Sequence, residues 1–184
     1  MADNFWLNPS FEPKRQFRFL IELSIGGQNL QFLAKQVDRP SYTISSNPHQ
    51  FFNHTFHYPG RLTWNSISMT LVDPVSPNAS EVLYKYLDSI GIAKPTNQAT
   101  ATATTITKSS ATEGLRRLVI KEMGTIPGTA ETKVQGNWTF LNAFLTDVNF
   151  GSHSYDSEDM VEVVMTVQYD WAEYRLGDDI ASGT

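Results

Sequence analysis

Hydrophobic and polar residues alternate with a period of two near both ends of the chain. Near the start, every second position is apolar: Phe17, Phe19, Ile21, Leu23 and Ile25. Near the end, the same alternation brings a second set onto one face: Val161, Val163, Met165, Val167 and Tyr169. Successive side chains of a strand point to opposite faces, so both runs predict half-buried β-strands.

Weaker strand signals fill most of the remaining sequence. Further strands are predicted from Leu30 to the residue before Pro40, and over residues 49–58, 62–72, 115–123, 132–141 and 144–150. The Gly-Gly-Gln-Asn run at 26–29 is a hairpin signal. Pro59-Gly60 is predicted to turn the chain between two strands, because this dipeptide usually marks a turn.

One helix is predicted over about residues 76–90. Ser76 suits the capping position and Pro77 the first helical position. Apolar residues recur at helical spacing: Val82, Leu83, Tyr86, Leu87 and Ile90. Glu81 and Lys85 are spaced to pair on the exposed side. The pattern indicates a helix that covers one face of a sheet.

The order of these elements predicts a mainly β fold, an antiparallel β-sandwich or barrel with one flanking α-helix. Residues 96–112 are rich in Thr, Ala and Ser, with Ile106 almost the only large apolar residue. Such a stretch buries little surface, so we expect a long loop or insertion there. We divide the chain into an N-terminal arm (1–16), a β domain (17–171) and a C-terminal tail (172–184).

The N-terminal arm carries large apolar residues that follow no clean period: Phe5, Trp6, Leu7 and Phe11. Burying one such side chain is worth roughly 1.5–3 kcal/mol, so they are expected to pack against something. Both the chain's own domain and an adjacent subunit are open as the covering surface. These four residues are therefore candidate interface residues.

Composition narrows the possible classes of protein. The 184 residues suit one domain, and the absence of cysteine excludes disulfides and thiolate metal sites. The net charge of -5, with Lys and Arg scattered, argues against a nucleic-acid-binding face. The first ten residues lack the basic start and apolar core of a signal peptide, and no apolar run approaches roughly 18 residues. We expect folding in a cytoplasm and no membrane insertion.

No catalytic motif is present in the sequence. It contains no Gly-x-Ser-x-Gly elbow, no phosphate-binding loop and no dinucleotide fingerprint. The acidic cluster Asp156, Glu158 and Asp159 lacks the glycine-centred ligand loop of a calcium site and indicates a solvated turn. We expect neither an enzyme nor a cofactor. A small hydrolase and a carbohydrate-binding sandwich are the alternatives, but the nucleophile motif and signal peptide that would favour them are missing.

Three histidines, His49, His54 and His57, raise the question of a metal site. On one continuous strand, His49 and His57 would share a face but lie roughly 27 Å apart, at about 3.3 Å per residue. His54 would point to the other face. Zinc needs its ligands within about 2.1 Å of one ion, so no metal site is predicted.

Two residues near the Pro-Gly dipeptide are candidates for a contact between subunits. Arg61 follows Pro59-Gly60 and precedes Trp64. An arginine here is either a solvated turn charge or a contact at a subunit seam.

The edges of the predicted sheet are a second reason to expect an oligomer. A sheet with long strands must cover its edge strands or pair them with another chain, and a homo-oligomer that joins edges into one closed barrel does both.

Specific runs of the sequence resemble the tail tube proteins of contractile-tailed phages, and most closely those of large cyanobacterial phages. The first set is PHQFFNHTF at 48–56, continued by YPGR at 58–61, TWN at 63–65 and LVDP at 71–74. The second set resembles the closing motif of the same family: WTFLNAF at 138–144, VNFG at 148–151, DSED at 156–159 and YDW at 169–171. The resemblance covers about residues 17–171, apart from the Thr-rich segment 96–112.

This resemblance implies a fold shared with the tubes of type VI secretion systems. It implies a structural subunit with no enzymatic activity, six subunits per ring, and rings stacked into a hollow tube through which DNA passes. It implies a location in the virion tail, with a sheath, a baseplate and a tail terminator as partners. Two alternatives remain: a baseplate protein of the same fold that initiates the tube, and the tube subunit of a phage-derived injection device.

The net negative charge of the chain agrees with the DNA channel that the resemblance implies. An acidic protein repeated around a bore repels phosphate and lets DNA slide. The absence of a basic stripe then suits the function. Glu162, on the polar face of the last predicted strand, is a candidate for the lumen.

Overall fold

The computed structural model describes residues 13–92, 106–125 and 132–177. Within these residues, strands β1–β11 span, in chain order, Phe19–Ile25, Gln28–Asn29, Ala34–Val37, Tyr42–Phe51, His54–Trp64, Ile67–Val72, Leu115–Thr125, Thr132–Leu141, Phe144–Asn149, Glu162–Gln168 and Trp171–Leu176. Helices α1 and α2 span Ala79–Ser89 and Lys108–Gly114, and a 3-10 turn spans Gln31–Leu33. The apolar residues Phe5, Trp6, Leu7 and Phe11 lie outside the described residues.

Two antiparallel sheets pack face to face around one apolar core. Sheet A has the strand order β11-β8-β7-β1-β2, and sheet B has the order β3-β6-β10-β9. The inward side chains are almost fully buried: Ile21, Leu23 and Ile25 from β1, Met69 and Leu71 from β6, and Val163, Met165 and Val167 from β10. The period of two predicted these faces, because each strand has one face in the core. The predicted antiparallel sandwich is confirmed.

The predicted helix is present as α1, which packs on this core through Leu83 and Tyr86, but it begins later than Ser76. Asn78 is the capping residue, and its side chain accepts a hydrogen bond from the backbone N–H of Glu81 at 2.7 Å. The carboxylate of Asp73 accepts another from the backbone N–H of Ala79 at 2.9 Å. These two acceptors bind backbone N–H groups in the first turn of α1 and so fix the residue at which the helix starts. The predicted Glu81–Lys85 ion pair is present.

A second helix, α2, replaces part of the predicted loop. Its first turn has a capping box in which the side chains of Thr107 and Ser110 bond to each other's backbone N–H. Ala111 and Gly114 let α2 pack closely on Tyr86 of α1, since a Cβ at Gly114 would lie 2.5 Å from the Tyr86 ring. The prediction of a single helix was wrong because small residues can pack tightly without apolar periodicity.

The turn predicted at Pro59-Gly60 was also wrong. Strands β4 and β5 form one long hairpin that turns at Phe52 and the residue after it, with Phe52 at a φ of 50°. Gly60 lies inside β5 at a bulge, so close to β4 that a Cβ there would be 2.2 Å from Ser45 Oγ. The strand predicted over 62–72 is divided between two sheets, because the chain leaves the hairpin after Trp64 and enters sheet B at Ile67.

The end of the domain lies further along the chain than predicted. Strand β11, Trp171–Leu176, pairs with β8 along its whole length and forms an edge of sheet A. The first part of the predicted tail (172–184) is therefore part of the sheet. The alternation of hydrophobic and polar residues is weak in β11, because Ala172 is the only buried residue of this strand.

Candidate functional site: an exposed hairpin and open sheet edges

The β4–β5 hairpin extends from the sandwich with both of its faces uncovered. Every residue of β4 is exposed, and every residue of β5 except Trp64. An isolated two-stranded hairpin is at best marginally stable in water. A hairpin that exposes both faces and carries large aromatic groups is therefore suited to contact another surface.

Aromatic side chains concentrate at the tip of this hairpin. Pairing of Phe51 with His54, and of His49 with Phe56, brings their side chains onto one face. The rings of His54 and Phe56 are 4.7 Å apart, and those of Phe51 and Phe52 are 4.6 Å apart. We call Phe51, Phe52, His54 and Phe56 the tip cluster. Its phenylalanines are 58%, 90% and 46% exposed in chain order, so the cluster is a sizeable apolar surface in water.

The turn at the tip changes the expected positions of the histidines. His49 and His57 are not 27 Å apart, because the chain reverses between them and pairs Pro48 with His57. His49 and His54 share one face, while His57 lies on the other, 3.3 Å from Ser46 Oγ by its Nδ1. Among residues 13–92, 106–125 and 132–177, no group of three or more potential metal ligands is close enough to hold an ion.

The root of the hairpin is fixed to the domain by aromatic packing. The ring of Trp64 lies 5.5 Å from those of Tyr42 and Trp171, and 5.9 Å from that of Tyr169. These contacts of the candidate interface residue Trp64 are within its own chain. Arg61 lies at the bulge, where its backbone N–H donates to Ser45 Oγ at 2.9 Å, and its side chain is exposed.

A second anchor of the hairpin is an ion cluster around Glu122 on β7. Arg39, in the link between β3 and β4, has Nη2 at 2.8 Å from Glu122 Oε1. Lys14 pairs with the other carboxylate oxygen, and the Tyr174 hydroxyl donates to it at 3.2 Å. The cluster joins the start of the described chain, the link to the hairpin, sheet A and the last strand. The sequence did not indicate it, because the partners are far apart along the chain.

This cluster makes the ionised form of Glu122 favourable. Burial opposes ionisation, but the hydrogen bond from Lys14, the charge of Arg39 and the hydrogen bond from Tyr174 outweigh it. The pKa of Glu122 is therefore held below its ordinary value. A carboxylate whose folded pKa is depressed stabilises the fold above its unfolded pKa, and that contribution is lost as the pH falls through the folded pKa.

We expect Glu122→Gln to lower the free energy of unfolding by about 1–3 kcal/mol at pH 7, because hydrogen bonds to a charged group are lost. The difference from the wild type should shrink below about pH 4.3 and vanish at lower pH. Urea unfolding at several pH values measures it. The control is Glu113→Gln on the exposed side of α2, with an expected change within about 0.5 kcal/mol. An equal loss for Glu122→Gln at pH 3 and pH 7 would contradict this account.

Sheet B presents a polar outer face. Its outward residues on β6 and β10 include Ser68, Thr70, Glu162 and Thr166, opposite the buried set. Glu162, the residue predicted for the lumen, pairs with Lys35 of β3 on this side. The polar side chains on the outer face of sheet B can contact water, because the apolar side chains of the same strands lie on the opposite face.

Both sheets have unpaired edges within the described part of the chain. Strands β3 and β9 are the two edges of sheet B. In sheet A, the two-residue strand β2 pairs only with Ser24 and Ile25, so the outer edge of β1 is unpaired from Phe19 to Glu22. Unpaired strand edges readily pair with another chain.

Neither helix in the described residues has the length and apolar character needed to cross a membrane.

No protein-family model matches the sequence, and no curated protein matches it.

Solved structures of contractile injection systems contain chains with the same fold. The chain is similar to one in the cryo-EM structure of the anti-feeding prophage tube-terminating cap, with 14% identity and a TM-score of 0.65 over 96% of this chain and 100% of that one. It is also similar to a chain of the PVC sheath–tube complex in the extended state, with 15% identity and a TM-score of 0.60 over 91% and 95%. A chain of the anti-feeding prophage baseplate gives 12% identity and a TM-score of 0.61 over 92% and 99%. The fold implied by the resemblance to tail tube proteins is confirmed.

Proposed function

We propose that this protein is a structural, non-enzymatic subunit of a contractile tail, which assembles into hexameric rings that stack as a tube. The observation that carries the proposal is the β4–β5 hairpin, exposed on both faces and tipped with aromatic residues. In a tube, an adjacent subunit supplies the surface that covers it. The fold shared with chains of a tube complex, a tube cap and a baseplate supports the same role.

The sheet edges explain how a ring would close. Edge β3 of one copy would lie beside edge β9 of the next, so that six copies of sheet B form one barrel without free edges. The polar outer face of sheet B would then line the channel, with Glu162 in the lumen. The net charge of -5 per subunit would repel the phosphates of DNA in transit. Sheath, baseplate and terminator proteins are the expected partners of such a tube in a virion tail.

Four arm residues and Arg61 belong to the same proposal. The arm residues Phe5, Trp6, Leu7 and Phe11 would pack on a neighbouring subunit and act as a clasp. Arg61, exposed at the bulge of the hairpin, would contact the subunit that receives it.

A second candidate is a baseplate or cap protein that begins or ends a tube. It is favoured by the similarity to a baseplate chain and to a chain of a tube-terminating cap at TM-scores of 0.61 and 0.65. An injection device derived from a phage is also compatible. A tube subunit, whether of a phage or of such a device, is distinguished from a baseplate or cap protein because it stacks on itself without limit.

Sedimentation velocity at rising protein concentration tests the proposed function. A tube subunit should give a species of six-fold monomer mass and then larger polymers. A baseplate or cap protein should stop at the ring. A strict monomer at high concentration, also with baseplate proteins added, would contradict both.

A further inference from the structure

The outer face of sheet A is buried, although the other described layers lie on the opposite side of this sheet. Sheet B and both helices contribute to the apolar core on the inner side, for example through Met69, Leu83 and Ala111. Ile120 of β7 faces this core, so Val119, its neighbour in the strand, faces outward. Val119 is nevertheless completely buried, and it is not part of the core cluster.

Val164 on the outer face of sheet B provides a comparison for Val119. Each of these two valines lies on a strand that is paired on both sides, and each points away from the core. Val164 is 38% exposed, whereas Val119 is 0% exposed. Neighbouring side chains leave such a valine partly exposed in sheet B, so Val119 requires a further segment that covers it.

Polar side chains beside Val119 are also withdrawn from water. On β8, Asn137 is completely buried and Thr139 is 8% exposed. The hydroxyl oxygen of Thr139 is buried without a hydrogen-bond partner among the described residues. The side chain of Lys121, on the same face, is only 13% exposed, which is unusual for a lysine. Because buried polar groups are normally hydrogen-bonded, this face is shaped to receive a polar chain segment.

The last described residue of the chain lies on this face. Strand β11 ends at Leu176, and Gly177 then turns the chain with a φ of 75°. The side-chain amide of Asn137 donates a hydrogen bond to the carbonyl oxygen of Gly177 at 2.9 Å. Since Asn137 points outward, the chain continues after Gly177 from a position over the outer face of sheet A.

The distances allow the next residues to reach Val119. Asn137 pairs with Lys121, so Val119 is its diagonal neighbour on the same face. Diagonal neighbours are roughly 7–8 Å apart, and three residues of extended chain span about 10 Å. Ile180 follows Gly177 by three residues and is the one large apolar residue of 178–184.

We infer that residues 178–184, which follow the described chain, cross the outer face of sheet A as a strap. Ile180 packs on Val119 beside Thr139, and the polar backbone of the strap meets the Thr139 hydroxyl. A partner that approaches this side of the subunit therefore contacts the strap rather than the sheet. The contact is within one chain, so the inference does not depend on the proposed ring.

Disulfide formation tests the strap, because the chain has no cysteine of its own. Thr139→Cys is combined with Ile180→Cys, and the double variant is oxidised in dilute solution. We expect an internal disulfide in at least tenfold the yield obtained when Thr139→Cys is combined with Leu7→Cys or with Thr102→Cys. These two controls represent the arm and the segment between the helices, which also lie outside the described residues. Mass spectrometry of tryptic peptides identifies the bridge.

Thiol labelling measures the covering of the face independently. The Thr139→Cys variant is treated with a maleimide, once as the full chain and once with residues 178–184 deleted. We expect the deletion to raise the labelling rate at least tenfold. Val164→Cys, on the outer face of sheet B, should label readily and at the same rate in both lengths. Circular dichroism checks that the shortened chain keeps its fold.

The outcomes decide which segment covers the face. A greater yield of the bridge to Leu7→Cys or Thr102→Cys, or equal labelling of the Thr139→Cys variant in both lengths, would overturn the inference. A disulfide-linked dimer in place of the internal bridge would assign the face to a second copy and overturn it too. All of these measurements use the single subunit, so the proposed function stands or fails separately.

Discussion

Replacing Phe51 and Phe56 together by threonine is expected to abolish assembly at concentrations where the wild type is fully polymerised. Both side chains belong to the tip cluster and are about half exposed in the single subunit. Burying one fully exposed phenylalanine contributes about 1.5–3 kcal/mol, so covering the exposed halves of these two rings contributes about 1.5–3 kcal/mol per subunit. Because about 1.4 kcal/mol is tenfold in an equilibrium constant, half-maximal assembly should need about 10- to 100-fold more protein.

The single subunit should keep its fold in this variant, since threonine suits an exposed strand and neither ring is in the core. Pelleting measures assembly, and circular dichroism with thermal unfolding measures the fold. Tyr84→Gln is a matched control, because Tyr84 is 57% exposed on α1 against 58% for Phe51 in the hairpin. Equal assembly of the hairpin variant and the control would show that the tip cluster makes no contact in the tube.

Val163→Ala is expected to destabilise the subunit by about 1.5–3 kcal/mol, because its side chain is completely buried between the sheets. Val164→Ala, one position further along β10, should change the free energy of unfolding by less than about 1 kcal/mol. Val164 is 38% exposed on the outer face of sheet B. The same chemical change thus tests the two faces of one strand.

Urea denaturation of both variants measures this contrast, with the slope of the transition checked for a common unfolded state. A larger loss for Val164→Ala than for Val163→Ala would reverse the assignment of inner and outer faces. The outer face would then no longer be available as the wall of a channel.

The elements that the sequence predicted well are those with one buried face. Strands β1 and β10 show the period of two because Ile21 and Val163 face the core while their neighbours are less buried. The β4–β5 hairpin has no buried face, so its strands do not need to alternate apolar and polar residues. Its register had to be inferred from turn residues, and Pro59-Gly60 was mistaken for the turn that lies at Phe52.

The functional surfaces were harder to predict because they depend on contacts between distant segments. Glu122 meets Lys14 across 108 positions and Tyr174 across 52. The groove between the two sheets likewise collects residues from the chain before β1 and from β1, β3 and β7. By contrast, Arg61, Trp64 and Glu162 were singled out by short motifs and strand faces. Of these, the described contacts of Trp64 lie within its own chain, Arg61 remains a candidate for a subunit contact, and Glu162 remains a candidate for the lumen.

Electron microscopy of the purified protein at high concentration tests the central claim most directly. The account predicts rings with six-fold symmetry in end views, and hollow rods built from stacked rings in side views. Hairpin density should reach from each subunit into a neighbouring one. A field of monodisperse monomers, with no rings at any concentration, would contradict it.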